Sequence, residues 1–190
     1  MTVESLRTKY APQREVAKQR EDLVLSWLRV LGLDDVAPVG NGTGTDEKLS
    51  TWHTGIEDRF DFYSKKRNLY FEATGTHWLK SASAKRMGRA TLAILKTKVD
   101  DAIDYNIDDK LIFVGVWDRE ENPLEKVRFM PCPNVRWYSL CNYAWGENLY
   151  YAIPWDDWLK PSLIVPRLCR AMVKEGTLSA ESVHGKEGKE

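Results

Sequence analysis

Apolar residues recur at helical spacing through APQREVAKQREDLVLSWLRVLGL, residues 11–33, where Val16, Leu23, Val24, Trp27, Leu28 and Leu31 share one side. The pattern predicts a helix of about five turns, opened by Pro12 and stopped by Gly32. Residues 38–50, PVGNGTGTDEKLS, carry three glycines among polar residues and read as a loop leading to a first strand near Trp52. The period then changes to two. RFDFYSKKRNLYFEATGTHW, residues 59–78, holds two aromatic strand segments around a polar Ser-Lys-Lys-Arg-Asn stretch and predicts a β-hairpin. In HWLKSASAKRMGRATLAILKTKVDDAIDYN, residues 77–106, the positions of Met87, Ala90, Ile94, Val99 and Ile103 predict one long helix or two abutting ones. DKLIFVGVW, residues 109–117, is a short apolar run and predicts a buried central strand. A further strand is expected near Val127-Arg128-Phe129. An aromatic region, WYSLCNYAWGENLYYAI, follows it, and a helix is expected to start near Trp155-Asp156-Asp157.

The hairpin contains two acids among aromatic neighbours. With Lys66-Arg67 as a two-residue turn, Lys65 pairs with Asn68, Tyr63 with Tyr70, and Asp61 falls opposite Glu72 on one face. Opposed like charges on an antiparallel pair are destabilising, so something must compensate. Lys-Arg lacks the Gly or Asn that tight turns prefer, and a one-residue slip would split the acids between faces. One reading has an acid in solvent or paired with an arginine such as Arg59. The other gives both acids to a cation, with Asp58 as the substitute ligand if the register shifts.

Composition narrows the classes. A chain of 190 residues with 43% apolar content and 8 Trp is enough for one sizeable core, and a single domain over residues 1–175 is expected. The charged Gly-Lys-Glu tail, 176–190, is expected to be disordered. The 28 basic and 28 acidic residues cancel, so any phosphate-binding surface must be a local patch. Cys132, Cys141 and Cys169 form no CxxC pair and read as reduced thiols. With no signal peptide and no apolar run of about 18 residues, a soluble cytoplasmic protein is expected.

The order of elements and the placement of Glu21, Asp61 and Glu72 resemble the PD-(D/E)XK nuclease superfamily, and within it archaeal Holliday-junction resolvases and restriction-enzyme relatives. Glu21, followed by Leu23, Val24, Leu28 and Gly32, matches the first-helix glutamate. Asp61 matches the strand aspartate, although Phe60 stands where proline is usual. Glu72 in YFEATG matches the acid of the next strand, and Thr74 stands where lysine is normal. The resemblance spans roughly residues 15–117. It implies an α/β, restriction-endonuclease-like core with a central mixed sheet flanked by helices. It also implies a magnesium-dependent DNA endonuclease, with manganese as a substitute, and a homodimer. Asp61, Glu72, the Ala73 carbonyl and Glu21 are the implied metal ligands. The alternative is an inactive nuclease-fold protein that binds DNA or a protein partner.

Such chemistry suits these residue types, since magnesium takes carboxylate oxygens and needs only one or two of them. The missing motif lysine leaves three readings. The Thr74 hydroxyl shares the Glu72 face by alternation and can hold a water at the metal. A lysine from the following helix, Lys80 or Lys85, can replace the motif lysine in space. The third reading is that catalysis is lost. Lys80, Lys85, Arg86 and Arg89, interleaved with Ser81 and Ser83, form a candidate phosphate-binding segment, or an ordinary solvated helix face. His77 is a candidate proton carrier or a structural side chain. Trp78, Trp137, Trp145, Trp155 and Trp158 either stack on unpaired bases or pack in the core, with packing the default.

Overall fold

In the computed structural model, the residues described are 3–39, 59–75, 91–117, 122, 125–142 and 148–164, with the side chains of 3–14 excluded. The chain order is α1 (Val3–Val30), β1 (Val36–Pro38), β2 (Phe62–Ser64), β3 (Leu69–Gly75), β4 (Thr91–Leu95), α2 (Lys96–Asp104), β5 (Leu111–Val116), β6 (Val127–Pro131), α3 (Cys132–Val135), β7 (Leu140–Asn142) and β8 (Leu149–Pro154). A 3-10 turn at Trp155–Asp157 follows β8.

The first helix begins earlier than Pro12 predicts. It starts at Val3 and carries Pro12 in its interior, where the ring nitrogen cannot donate to the preceding turn. Its end is as expected. Gly32 adopts φ +83, Leu33 N–H donates to the Leu28 carbonyl at 3.0 Å, and Gly32 N–H donates to the Arg29 carbonyl at 2.9 Å. This is a Schellman ending, which requires a left-handed residue and so favours glycine. Leu33 and Leu28 are both buried beside it.

Five strands form the main sheet in the order β1-β2-β3-β5-β6, and only the β3 and β5 pair is parallel. The hairpin register is the expected one, with Tyr63 opposite Tyr70 and Ser64 opposite Leu69. Asn68 takes φ 49 at the turn, a conformation asparagine tolerates better than most side chains. The DKLIFVGVW segment is the central strand it resembles, every residue of β5 being buried. β6 forms over the segment containing Val127, Arg128 and Phe129.

Each face of this sheet has its own apolar layer. On one face α1 lays Val24 and Leu28 over Phe62, Phe71, Ile112, Val114 and Phe129. On the other, Tyr70, Leu111, Phe113 and Met130 meet Val99 and Ala102 of α2. Leu92, Ile94, Tyr151 and Ile153 join this second layer from a separate antiparallel sheet of order β4-β8-β7. Gly115 permits the closure, since a Cβ there would stand 2.6 Å from Leu92 Cδ1 and 2.9 Å from Trp158. Outside β6, the Phe129 and Leu159 backbones exchange two hydrogen bonds of 2.8 Å.

The helical reading of residues 77–106 is corrected in part. Residues 77–90 lie outside the described residues; beyond them Thr91–Leu95 is a strand paired with β8, and a helix occupies Lys96–Asp104. Leu92 and Ile94 are buried at period two, whereas Ile103, a supposed helical core position, is 41% exposed. Five apolar-rich residues fit either period, and pairing with a distant strand decided the outcome. The aromatic region supplies β7 and β8. Near Trp155 the expected helix is the short 3-10 turn, with a further helical turn at 161–164. The predicted strand near Trp52, the loop beyond residue 39 and the tail at 176–190 lie outside the described residues. No helix among the described residues is long and apolar enough to cross a membrane.

Asp35 ties the hairpin turn to the end of α1. It accepts from the Ser64 hydroxyl at 2.9 Å, from Lys66 N–H at 2.7 Å and from Arg67 at 2.7 Å, while Arg67 also donates to the Gly32 carbonyl. Burial works to raise the Asp35 pKa, but the Lys66 amide, the Ser64 hydroxyl and the Arg67 charge together hold it below the usual carboxylate value. A lowered folded-state pKa contributes stability above the ordinary carboxylate range, and that contribution is lost as pH falls through the lowered value. Asp35→Ala is therefore expected to cost about 2–3 kcal/mol at neutral pH, and the difference from the parent should shrink on acidification. Denaturant melts of both proteins at neutral and acidic pH measure this; a pH-independent difference would rule the charge out.

Candidate active site

Parallel pairing with β5 sets which way each residue of β3 points. Tyr70 N–H donates to the Lys110 carbonyl, so residues 70, 72 and 74 turn their amides toward β5, and 71, 73 and 75 turn theirs toward β2. The last ladder pair between β2 and β3 is Phe62 with Phe71. Past it, the Ala73 amide has no β2 strand to meet. Asp61, one residue before β2, fills the gap, its Oδ2 accepting from Ala73 N–H at 2.8 Å. The Ala73 carbonyl points to the same edge. The Asp61 carbonyl meanwhile accepts from Val39 N–H, which fixes the backbone on the other side.

Glu72 sits across from Asp61 and faces α2, as Tyr70 does. The compensation that the two acids require is a lysine. Lys98 on α2 reaches Glu72 Oε1 at 3.0 Å and Oε2 at 3.1 Å, donates to the Arg59 carbonyl, and lies over the Phe60 ring at 5.6 Å. Arg59 is paired with Asp101 at 3.4 Å instead of with either acid of the hairpin. Burial opposes the Lys98 charge, yet Glu72, Asp61 and Asp101 outweigh it and raise the pKa above the ordinary lysine value. The side chain is thus an ammonium at neutral and mildly alkaline pH, and the pair loosens only as pH rises through the raised value.

Thr74 shares the Glu72 face, as alternation requires. Its hydroxyl donates to the Ala93 carbonyl of β4 at 3.2 Å, which links the two sheets and commits the proton. Glu21 is half-buried on α1, and both it and Arg20 are engaged by further interactions. Among the described residues, no three His, Cys, Asp or Glu side chains come together as a metal-holding group, so Glu21, Asp61 and Glu72 are not gathered into one cluster. The oxygen-only donor set still suits a hard cation: two carboxylates and a main-chain carbonyl at one strand edge meet the modest protein share that magnesium requires. Among the described residues, Asp61 Oδ1 accepts no hydrogen bond.

Asp58, His77, Trp78, Lys80, Lys85, Arg86, Arg89, Trp145 and Cys169 lie outside the described residues. Trp155 and Trp158 are core side chains, 6% and 2% exposed, whereas Trp137 is 88% exposed. Cys132 is buried, and burial together with the Asp108 charge pushes its thiol up to about 12, which leaves no thiolate for nucleophilic chemistry.

Lys98 is the residue that sequence reasoning missed. A lysine from the following segment was the kind of substitute expected, and Lys80 and Lys85, the two named for it, lie outside the described residues. β4 and α2 bring Lys98 to the Glu72 face. The signal available was KTKVDD, a lysine beside the buried Val99 in a segment whose acids need a cation.

Comparison with known proteins places the chain in a family. An uncharacterized protein, D-244 of Sulfolobus spindle-shape virus 1, is 31% identical over 149 residues, which are 70% of this chain and 61% of the relative. The chain thus spans about six tenths of that relative's length. The fold matches that of D212, described as a nuclease from a fusselovirus, with a TM-score of 0.50 and 20% identity, covering 92% of this chain and 97% of that one. Residues 27–161 match the family described as Viral/Archaeal nuclease, and on that match over most of its length the chain belongs to the viral/archaeal nuclease family.

Proposed function

We propose that this protein is a metal-dependent endonuclease of PD-(D/E)XK type that hydrolyses DNA phosphodiester bonds. The observation that carries this reading is Lys98, which holds an ammonium against Glu72 and Asp61 where the motif lysine would otherwise stand. Asp61, Glu72 and the Ala73 carbonyl would hold a magnesium ion, or manganese in its place. The ion would supply Lewis acidity toward a phosphodiester oxygen and ease ionisation of the attacking water. Asp61 is oriented by the Ala73 amide, Glu72 by Lys98. The Lys98 ammonium, held beside Glu72, is placed to steady negative charge that develops on the phosphoryl oxygens. The basic segment Lys80, Lys85, Arg86 and Arg89 supplies phosphate contacts, and assembly as a homodimer would suit cleavage of two strands of a branched substrate.

The second reading is a nuclease fold that binds DNA without cutting. The ion pair that already satisfies both Glu72 oxygens favours it. Labelled junction, duplex and single-stranded DNA, each incubated with magnesium, manganese or EDTA, separate the two: cleavage only with metal supports the enzyme, and binding without cleavage under every condition supports the module.

Asp61→Asn and Glu72→Gln are each expected to lower cleavage by at least about a hundredfold, the upper end of the loss from an outer-shell partner at metal sites. Glu21→Gln, assayed beside them, reports whether the helix glutamate takes part. Millimolar magnesium should raise the melting temperature of the parent and not of Asp61→Asn, because a ligand bound only by the folded state stabilises it. Equal melting shifts in the two proteins would remove Asp61 from the ligand set.

Lys98→Met should reduce turnover far more than DNA affinity, the signature of an interaction made mainly in the transition state. Thr74→Val should cost about 1 kcal/mol of stability through the lost bond to Ala93 and leave turnover near that of the parent. The reverse pattern, with Thr74→Val inactive and Lys98→Met active, would assign the missing motif role to the hydroxyl.

A further inference from the structure

Gly75 closes β3, and the space its missing side chain would take is filled from α1. A Cβ at this position would stand 2.2 Å from Arg20 Nε, 2.5 Å from Cζ and 2.6 Å from Cδ. Those distances place the Arg20 head directly against the strand backbone. Any other residue at 75 would drive it off.

Alternation along β3 puts Gly75 on the α1 side with Ala73, and Glu72 with Thr74 on the α2 side. The Ala73 peptide is the one Asp61 holds by its N–H, and its carbonyl points to the same open edge. Arg20 therefore lies two residues further along that strand, roughly 6.6 Å by strand rise, on the opposite face of the sheet from Lys98. Two cations thus flank the strand end that carries the acid pair. Lys98 is ion-paired with Glu72, and the Arg20 head, itself engaged by a further interaction, lies across the backbone beyond it. A glycine at a strand end also lets a ligand approach the main chain closely.

We propose that Arg20 is a substrate-contacting residue, binding the nucleic-acid phosphate next to the one cleaved, and that Gly75 exists to seat it. This rests on the nuclease reading above. The guanidinium suits the role because its planar fork meets two phosphate oxygens at once, which an ammonium on a flexible stem does not. Packed against the strand, the head gives up less freedom on binding than an arginine in open solvent would.

Gly75→Ala provides a test independent of the arginine itself, since the new methyl collides only with the movable end of a side chain. The set is Arg20→Ala, Arg20→Lys, Gly75→Ala and the Arg20→Ala/Gly75→Ala double variant. Each is measured for magnesium-dependent cleavage of labelled duplex and junction DNA, and, in an Asp61→Asn background, for DNA affinity across a salt series. Arg20→Ala is expected to lower kcat/KM tenfold or more and to reduce the slope of log affinity against log salt by about one. Gly75→Ala should reproduce most of the loss, and the double variant should be no worse than Arg20→Ala, because both changes remove one contact. Arg20→Lys should keep the salt slope but recover turnover only in part.

Parent-like cleavage and salt slope in Arg20→Ala, with an active parent, would overturn this inference alone and leave the nuclease reading intact. Losses that multiply in the double variant would also overturn it, by showing that Gly75 acts without Arg20. A lowered melting temperature with an unchanged salt slope in Arg20→Ala would make the arginine structural and likewise overturn it. An inactive parent whose salt slope still falls on removal of Arg20 would defeat the enzyme reading and sustain the phosphate contact.

Discussion

β3 and β5 lie side by side and run the same way, and two parallel neighbours cannot be joined by a tight turn. The chain must leave the top of β3, cross a face of the sheet and return to the bottom of β5. The crossing brings β4 and α2 onto one face, and α2 delivers Lys98 to Glu72 across 26 residues of sequence. The same pairing fixes which peptides of β3 face the open edge, and hence why Ala73 meets the Asp61 carboxylate. Two of the three charged groups at the site therefore owe their positions to a single choice of strand direction. The third, Asp61, is held by the hairpin register that Asp35 ties down from the turn.

The electrostatics of the site follow from that geometry. Two carboxylates at one strand edge repel, and with no cation beside them the edge would be destabilised. The Lys98 ammonium, paired with Glu72, offsets that repulsion within the chain itself. A divalent ion entering the edge must then share Glu72 with an ammonium already in contact with both its oxygens. Metal affinity at such a site is set by competition between two cations as much as by the number of oxygens, and ionic strength and metal concentration should act on the resting state more than on the fold.

Much of this could be read before any coordinates existed, where the determinants are local. Gly32 ends α1 because its backbone must turn left-handed. Tyr63 meets Tyr70 because two aromatic runs flank a polar turn. LIFVGV is central because it offers no polar face. What escaped were features set by distant partners. TLAIL fits a helix or a strand until β8 lies beside it, and the Lys98 contact with Glu72 forms only once that strand has returned the chain to the sheet. Pro12 misled for a related reason: proline prefers the first turn of a helix, yet a helix of 28 residues runs through it. The Arg20 contact with Gly75 left no trace in periodicity, since it depends on a residue having no side chain.

The backbone pairing of Phe129 with Leu159 also bears on how the molecule meets others of its kind. β6 borders the main sheet, and its outward amides belong to residues 127, 129 and 131. Phe129 already donates to Leu159, and residue 131 is a proline without an amide hydrogen. Val127 alone can offer an outward donor from this strand. An added β-strand from another chain would find one N–H donor on this strand where a free border would offer three, with the middle residue already paired, so this border is poorly suited to strand addition. A blunted border of that kind keeps folded chains from joining edge to edge even while their cores are rich in β-forming sequence.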